Sequence, residues 1–184
     1  ATCHVDGRED GLVWKLEQTV RQTPALAGRL KDTEPYTWAG TAATLEKSID
    51  GTVTRLGGRG LTEVERRALA AYLAGGMRPM RAPEPAAEPA VVAQGRALFH
   101  SERTGCASCH PSDAAFTDGA VHTLGAAALD TPSLRGVGLT APYYHDGRAA
   151  TLDELLANNG DRMGSTSSLS EDERRALVTY LESL

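Results

Sequence analysis

Aromatic side chains make up only 5% of this 184-residue chain. That is thin for protein-only cores of this size, so a large apolar cofactor is expected to fill part of the interior. Positive charge is also short: 19 Lys and Arg face 24 Asp and Glu, a formal net charge of −5. Nothing in that balance points to nucleic acid. No apolar run approaches the roughly 20 residues of a membrane-spanning helix, and no signal peptide is visible. No convincing run of alternating strand residues is found either. What remains is a mostly α chain with long loops, big enough for one domain or two small ones.

Cysteine is scarce, yet two of the three sit in one run, Cys106-Ala107-Ser108-Cys109-His110. C-x-x-C-H is the sequence form of covalent haem attachment. Two thiols one turn apart add to the two vinyl groups of one porphyrin, and the adjacent His is placed beneath the iron. A redox disulfide or a zinc site would use the same residue types. The first usually sits in a βαβ setting and the second needs a further cluster of ligands, and neither is found here.

The chain is one unit written twice. Pro35-Tyr36, Gly40 and Ala42-Ala43-Thr44-Leu45 match Pro142-Tyr143, Gly147 and Ala149-Ala150-Thr151-Leu152. Thr23-Pro24-Ala25-Leu26-Ala27-Gly28 matches Thr131-Pro132-Ser133-Leu134-Arg135-Gly136, and 61–69 matches 169–177. This register lays Cys3-His4 on Cys109-His110. A second haem at His4 is therefore expected, with its first cysteine and an apolar helix lying upstream of Ala1. A chance Cys-His dipeptide, or a haem held by one thioether, are the plainer readings.

Residues 62–74 read as a helix that opens on the capping box Thr62-x-x-Glu65, carries a stripe of Val64, Ala68, Leu69, Tyr72 and Leu73, and ends at Gly75-Gly76. Ser170-x-x-Glu173 opens its counterpart, with Ala176, Leu177, Tyr180, Leu181 and Leu184 on one stripe. Short helices are expected at 44–49 and 151–157, and a longer one at 90–101. Four prolines between 79 and 89 mark a semi-extended linker. Three regions follow: a first, N-terminally incomplete unit over 1–78, a Pro-rich linker over 79–90 with the break near 85, and a second unit over 91–184.

Gly95 and Phe99 ahead of the motif, with Leu177 and Tyr180 in the last helix, resemble the crossing helix pair of small c-type cytochromes. The stretch 131–147, with Phe116-Thr117-Asp118 and His122-Thr123-Leu124-Gly125, resembles the bacterial di-haem cytochrome c peroxidases and MauG-like proteins. The resemblance covers 90–184 closely and 3–76 loosely. It implies two tandem cytochrome c-like domains with long haem-wrapping loops. It implies two covalent haems c, at Cys106, Cys109 and His110 and at Cys3 and His4, with Met163 as second axial ligand at His110. A core methionine is the plainer reading of Met163, but its polar, Gly-rich setting counts against that. The resemblance further places Trp38 on an electron path between haems, or in a pocket wall. It places Arg135 near a propionate, or on the surface. Thr140 and Pro142 match carbonyls of an interdomain calcium site, but the matching asparagine is missing, with Gly28 nearby, which counts against calcium. His122 and His145 are expected to be hydrogen-bonding loop residues, and His100 a surface or packing residue. Met77 and Met80, at the start of the linker, are not expected to be ligands.

The first copy departs from the second at one telling position: Leu56 stands where Met163 should be. Leucine cannot coordinate iron. The expected function is one-electron transfer by a di-haem cytochrome c, with a small redox protein as donor or acceptor and upstream domains of the same protein as neighbours. The alternative is peroxide reduction, or MauG-like oxidation, at an open haem on His4 fed from the His110/Met163 haem. That chemistry needs a distal acid. Glu46 is the nearest, with nothing in the sequence to place it over the iron. Covalent haem attachment implies an exported, periplasmic setting.

Overall fold

The computed structural model describes residues 3–16, 18–82 and 87–184. The expected break near residue 85, and part of the linker, lie outside the described residues. Among the described residues there are five α-helices: α1 Leu45–Arg55, α2 Glu63–Ala71, α3 Pro89–Phe99, α4 Leu152–Ala157 and α5 Glu171–Glu182. Both capping boxes form. The Thr62 and Ser170 hydroxyls accept from the Glu65 and Glu173 amides, and each glutamate reaches back to its cap residue. Thr151 caps α4 by accepting from Glu154 N. Helix α2 does not stop at Ala71 but runs through a wider turn, Tyr72–Gly76.

Strands are present where none was expected. β1 Val13–Leu16 pairs antiparallel with β2 Thr19–Gln22, and β3 Val121–Leu124 with β4 Ala127–Asp130. Four residues are too few for alternation to stand out. Gly125, with φ +68°, supplies the left-handed residue that the tight β3–β4 turn requires.

The two hairpins tie the copies of the repeat together in a reciprocal way. Val13 packs on Gly147 and Val121 on Gly40, each so closely that a Cβ on the glycine would collide with the valine. Gln22 N donates to His145 O at 2.7 Å, and Asp130 N donates to Trp38 O at 3.0 Å. Within each hairpin the leading loop is held alike: Trp14 Nε1 donates to Asp10 at 2.9 Å, and His122 Nε2 meets Asp118 at 2.7 Å.

The core sits in the C-terminal half. Phe99 of α3 and Leu177, Tyr180 and Leu181 of α5 form one cluster with Leu152 and Leu156 of α4, Val137 and Tyr143. Helices α3 and α5 approach closely because Gly95 has no side chain. A Cβ there would stand 2.8 Å from Tyr180 Cβ and closer still to the Ala176 backbone. In the N-terminal half, α1 packs on α2 with an Arg66–Asp50 ion pair of 2.8 Å. The α2 stripe is not buried as expected: Val64 is 78% exposed and Tyr72 56%. The start of the linker is docked. The Met77 sulfur sits against Gly7, Pro79 against Gly28 and Met80 against Gly136.

Candidate cofactor site

The C-x-x-C-H run folds as one tight turn. Gly105 enters at φ +67°, Cys106–Ser108 make a single 3-10 turn, and His110 N donates to Cys106 O at 3.0 Å. Cys106 is buried and Cys109 half-buried, and neither is disulfide-bonded. Burial pushes the Cys106 thiol pKa up. The half-buried His110 ring makes a 2.8 Å hydrogen bond from Nδ1 to Phe116 O. With Nδ1 donating to that carbonyl, the Nε2 lone pair is left free to bind a metal. Desolvation lowers the His110 pKa, and the Phe116 carbonyl only partly offsets this, so the neutral, ligating form is favoured.

The loop that carries Met163 is stapled to this turn. Ser165 N donates to Thr104 O at 2.8 Å, and a Cβ on Gly164 would stand 3.0 Å from Cys106 Sγ. Asp161 accepts from Thr166 N at 2.7 Å and Ser167 N at 2.9 Å, and Asn159 Nδ2 donates to Thr166 Oγ1 at 2.6 Å. Met163 itself is half-buried.

The first copy builds none of this loop. Helix α1 runs eleven residues, to Arg55, through positions where the second copy ends α4 after six and folds back. Leu56 is left 68% exposed as the cap of α1. Cys3 and His4 are half-buried ahead of the turn Val5–Gly7. His4 Nδ1 is enclosed without a hydrogen-bond partner, and desolvation lowers its pKa. Glu46, half-buried in the first turn of α1, lines a surface cleft with Asp50 and Arg66.

Trp38 lies at the seam between the copies. Its Nε1 donates to Gln22 O at 2.9 Å, and its ring meets His145 edge-on at 6.4 Å between centroids. His145 does not behave as the expected hydrogen-bonding residue: its Nδ1 is buried and unpartnered, and among the described residues its backbone carbonyl is the part engaged, accepting from Gln22 N. His122 does pair, with Asp118, and the two lie near Cys109 in a cluster whose ligand atoms fall within 4.8 Å of one another. His100 is exposed and packs against Phe99.

Arg135 donates to Lys31 O at 3.1 Å, while the half-buried Arg29 donates back to the carbonyls of Ser133 and Arg135. Burial brings the Arg29 pKa down to about 10. Thr140 O accepts from the buried Gln22 side chain at 3.4 Å, so a carbonyl matched to the calcium site already has a donor. Arg29, Gln22 and Asp130 were missed in the sequence. Burial holds Asp130 near pKa 7, with Asp118 adding to the rise. Only the cross-repeat register offered a signal for any of them, since Gln22 and Asp130 are equivalent positions.

The family model described as cytochrome c oxidase, cbb3-type, subunit III matches residues 90–181, half of the chain. The chain belongs to this cytochrome c family. Over 120 residues it is 34% identical to methylamine utilization protein MauG of Methylorubrum extorquens, covering 50% of this chain and 33% of that relative. Over 59 residues it is 46% identical to the cytochrome-c peroxidase IdrP2 of Denitromonas iodatirespirans, covering 29% and 16%. The chain thus spans well under half the length of these curated relatives. A solved structure of Kuenenia stuttgartiensis hydrazine synthase, under 20 bar xenon, superposes with a TM-score of 0.85 at 22% identity, covering 100% of this chain and 80% of that one. At that identity the match speaks for the cytochrome c fold alone. Haem c is the cofactor the family implies, and the residues of this cytochrome fit it. Two free thiols flank one turn, and the imidazole beside them is held by Nδ1 with Nε2 free. Among the described residues no helix is long and apolar enough to cross a membrane.

Proposed function

We propose that this chain is a di-haem c-type cytochrome that carries single electrons in an exported, periplasmic setting. The observation that carries the reading is the imidazole of His110, locked by Phe116 O in the tautomer that binds metal through Nε2. Haem c would supply a one-electron Fe(II)/Fe(III) couple. Cys106 and Cys109 would hold it as thioethers, and His110 would be its proximal ligand. Met163, on its stapled loop, would supply the second protein ligand to the iron, and a thioether there would favour Fe(II) and raise the potential. Residues 91–184 form this unit, and 1–78 form a second built on Cys3 and His4. The paired hairpins and reciprocal backbone bonds support reading the chain as two tandem units. Trp38, packed against His145 at the seam, would carry an electron between them, and Arg135 would neutralise a propionate. A small redox protein is the expected partner.

Peroxide reduction or MauG-like oxidation at His4 is the second reading, favoured by the absence of a methionine at Leu56. Glu46 offers it little, since its groove is on the surface of α1 and α2. Intact mass of protein matured in a haem c-attaching host tests the first reading: two haem adducts are expected. One adduct overturns the di-haem assignment. A high-spin ferric signal that shifts with cyanide, together with turnover of peroxide against a reduced cytochrome, overturns pure electron transfer in favour of the second reading.

A further inference from the structure

The carbonyl that holds the His110 imidazole needs holding itself. Phe116, whose oxygen meets His110 Nδ1, and Ala115 before it both have left-handed backbone, at φ +57° and +60°. Neither is glycine, and two such residues in succession are strained. A strained pair persists only where its neighbours fix it. Here two hydroxyls tie the pair to one strip of chain. Ser133 Oγ donates to Ala115 O at 2.7 Å, and Thr117 Oγ1 donates to Thr131 O at 2.7 Å. Thr117, Thr131 and Ser133 are all buried. The strip 131–133 is thus the template on which the Phe116 carbonyl is set.

That strip is gripped from the first copy. The Arg29 guanidinium donates through its two terminal nitrogens to the carbonyls of Ser133 and Arg135. Glu34 O presses on the same loop, so close to Gly119 that an added Cβ would stand 2.7 Å from it. The grip runs one way. The repeat puts Val137 opposite Arg29, and Val137 is buried in the core of the second copy. The repeat also puts Ala25 opposite Ser133 and Glu9 opposite Thr117, so the first copy lacks both hydroxyls. There, among the described residues, His4 Nδ1 has no hydrogen-bond partner.

We infer that Arg29 is a positioning residue for His110: by gripping the Ser133 and Arg135 carbonyls, the first copy fixes the Phe116 carbonyl that orients the imidazole of the second. This rests on His110 being the haem ligand proposed above. Donation from Nδ1 makes an imidazole a stronger ligand through Nε2, which favours Fe(III). A contact at the seam therefore tunes the potential of a haem held in the second copy. Arg29 is also near enough for its charge to act on His110, adding to the lowering of the imidazole pKa that burial sets. Grip and charge are separable by substitution.

The full chain is matured in a haem c-attaching host as the parent, R29K, R29M and S133A. The readouts are haem adducts by intact mass, the midpoint potential of the haem at His110, and solvent exchange of the His110 Nδ1 proton by NMR in the reduced state. R29K keeps the charge, but an ammonium lacks the planar fork that spans two carbonyls. S133A changes no charge. Both should raise the midpoint and speed exchange about fivefold, the factor expected when one neutral hydrogen bond stops holding the loop closed. R29M should speed exchange as much while its midpoint rises less, because the lost positive charge favours Fe(III). Arginine variants that melt lower but keep the parental midpoint and exchange overturn the inference. So does an R29M midpoint that falls with exchange unchanged, since Arg29 then acts by charge alone, and so does S133A acting without R29K. A parent with no haem on Cys106 and Cys109 overturns the cytochrome reading and this inference together. Normal adducts with silent variants overturn the inference alone.

Discussion

A glycine-to-alanine change should stabilise one helix of this protein and destabilise another. Gly51 lies in the exposed middle of α1 with nothing within 4 Å of an added Cβ, and Gly95 lies in α3 against α5. At Gly51 only backbone entropy and helix propensity act, so G51A should gain about 0.5–1 kcal/mol. At Gly95 the new methyl would meet Tyr180 Cβ at 2.8 Å and press harder still on the Ala176 carbonyl. Ordinary carbon–carbon separation is roughly 3.5–4.0 Å, so α3 must retreat by about 1 Å. Overpacking of this kind costs about 1–3 kcal/mol, and the propensity gain offsets only part of it. The net loss is about 1–2 kcal/mol. For a chain of this length each kcal/mol moves Tm by about 2–4 °C. G95A should therefore melt about 2–8 °C lower than the parent and G51A about 1–4 °C higher, read by far-ultraviolet circular dichroism and checked by urea midpoints. A G95A protein as stable as G51A would refute the close α3–α5 crossing.

Asp130 gives a pH prediction. Its folded pKa of about 7 lies above the ordinary value of 3.8. The folded state therefore binds the proton more tightly, and the stability this confers is present below pH 4 and lost as pH rises through 7. The group is half-exposed, so after solvent screening about 1–2 kcal/mol is expected. D130N should flatten the urea midpoint between pH 4 and 8. M163L copies Leu56 into the second unit. It should lower the midpoint potential of the haem at His110 and abolish its methionine-ligated low-spin spectrum, leaving the number of covalent haem adducts unchanged; an unaltered spectrum excludes Met163 as ligand. W38F removes the Nε1 bond to Gln22 O and should cost about 1 kcal/mol in chemical denaturation. In a di-haem protein it should also slow electron exchange between the haems in flash-reduction kinetics.

What the sequence carried well were features with a local cause. The Thr62 and Ser170 caps need only their own glutamates three residues on, and the C-x-x-C-H spacing is set by the porphyrin. The α5 stripe, legible from its period, is buried because α3 lies over it. The α2 stripe read identically yet is exposed, because amphipathic period reports a face that wants a partner and not whether one is there. The hairpins escaped notice because their four-residue strands are held in part by the opposite copy. The length of α1 escaped too. A helix and a returning loop of equal residue count look alike in sequence, and what separates them is the Asn159–Asp161–Thr166 lock, built from side chains whose partners lie several residues apart. His145 looked polar by type, but it packs edge-on to Trp38 at a seam no single copy contains.

That seam is isologous in form. Val13 meets Gly147 and Val121 meets Gly40, while Gln22 donates to His145 and Asp130 to Trp38. Contacts exchanged in this way are those of a two-fold homodimer. One copy of the unit carries both sides of the seam, so a chain with a single copy would hold everything needed to pair with itself. Joining two copies by a linker replaces that bimolecular step with an intramolecular one and frees each copy to diverge. The longer α1 of the first copy, and its Leu56 opposite Met163, are differences of that kind, which a symmetric dimer would carry on both partners at once.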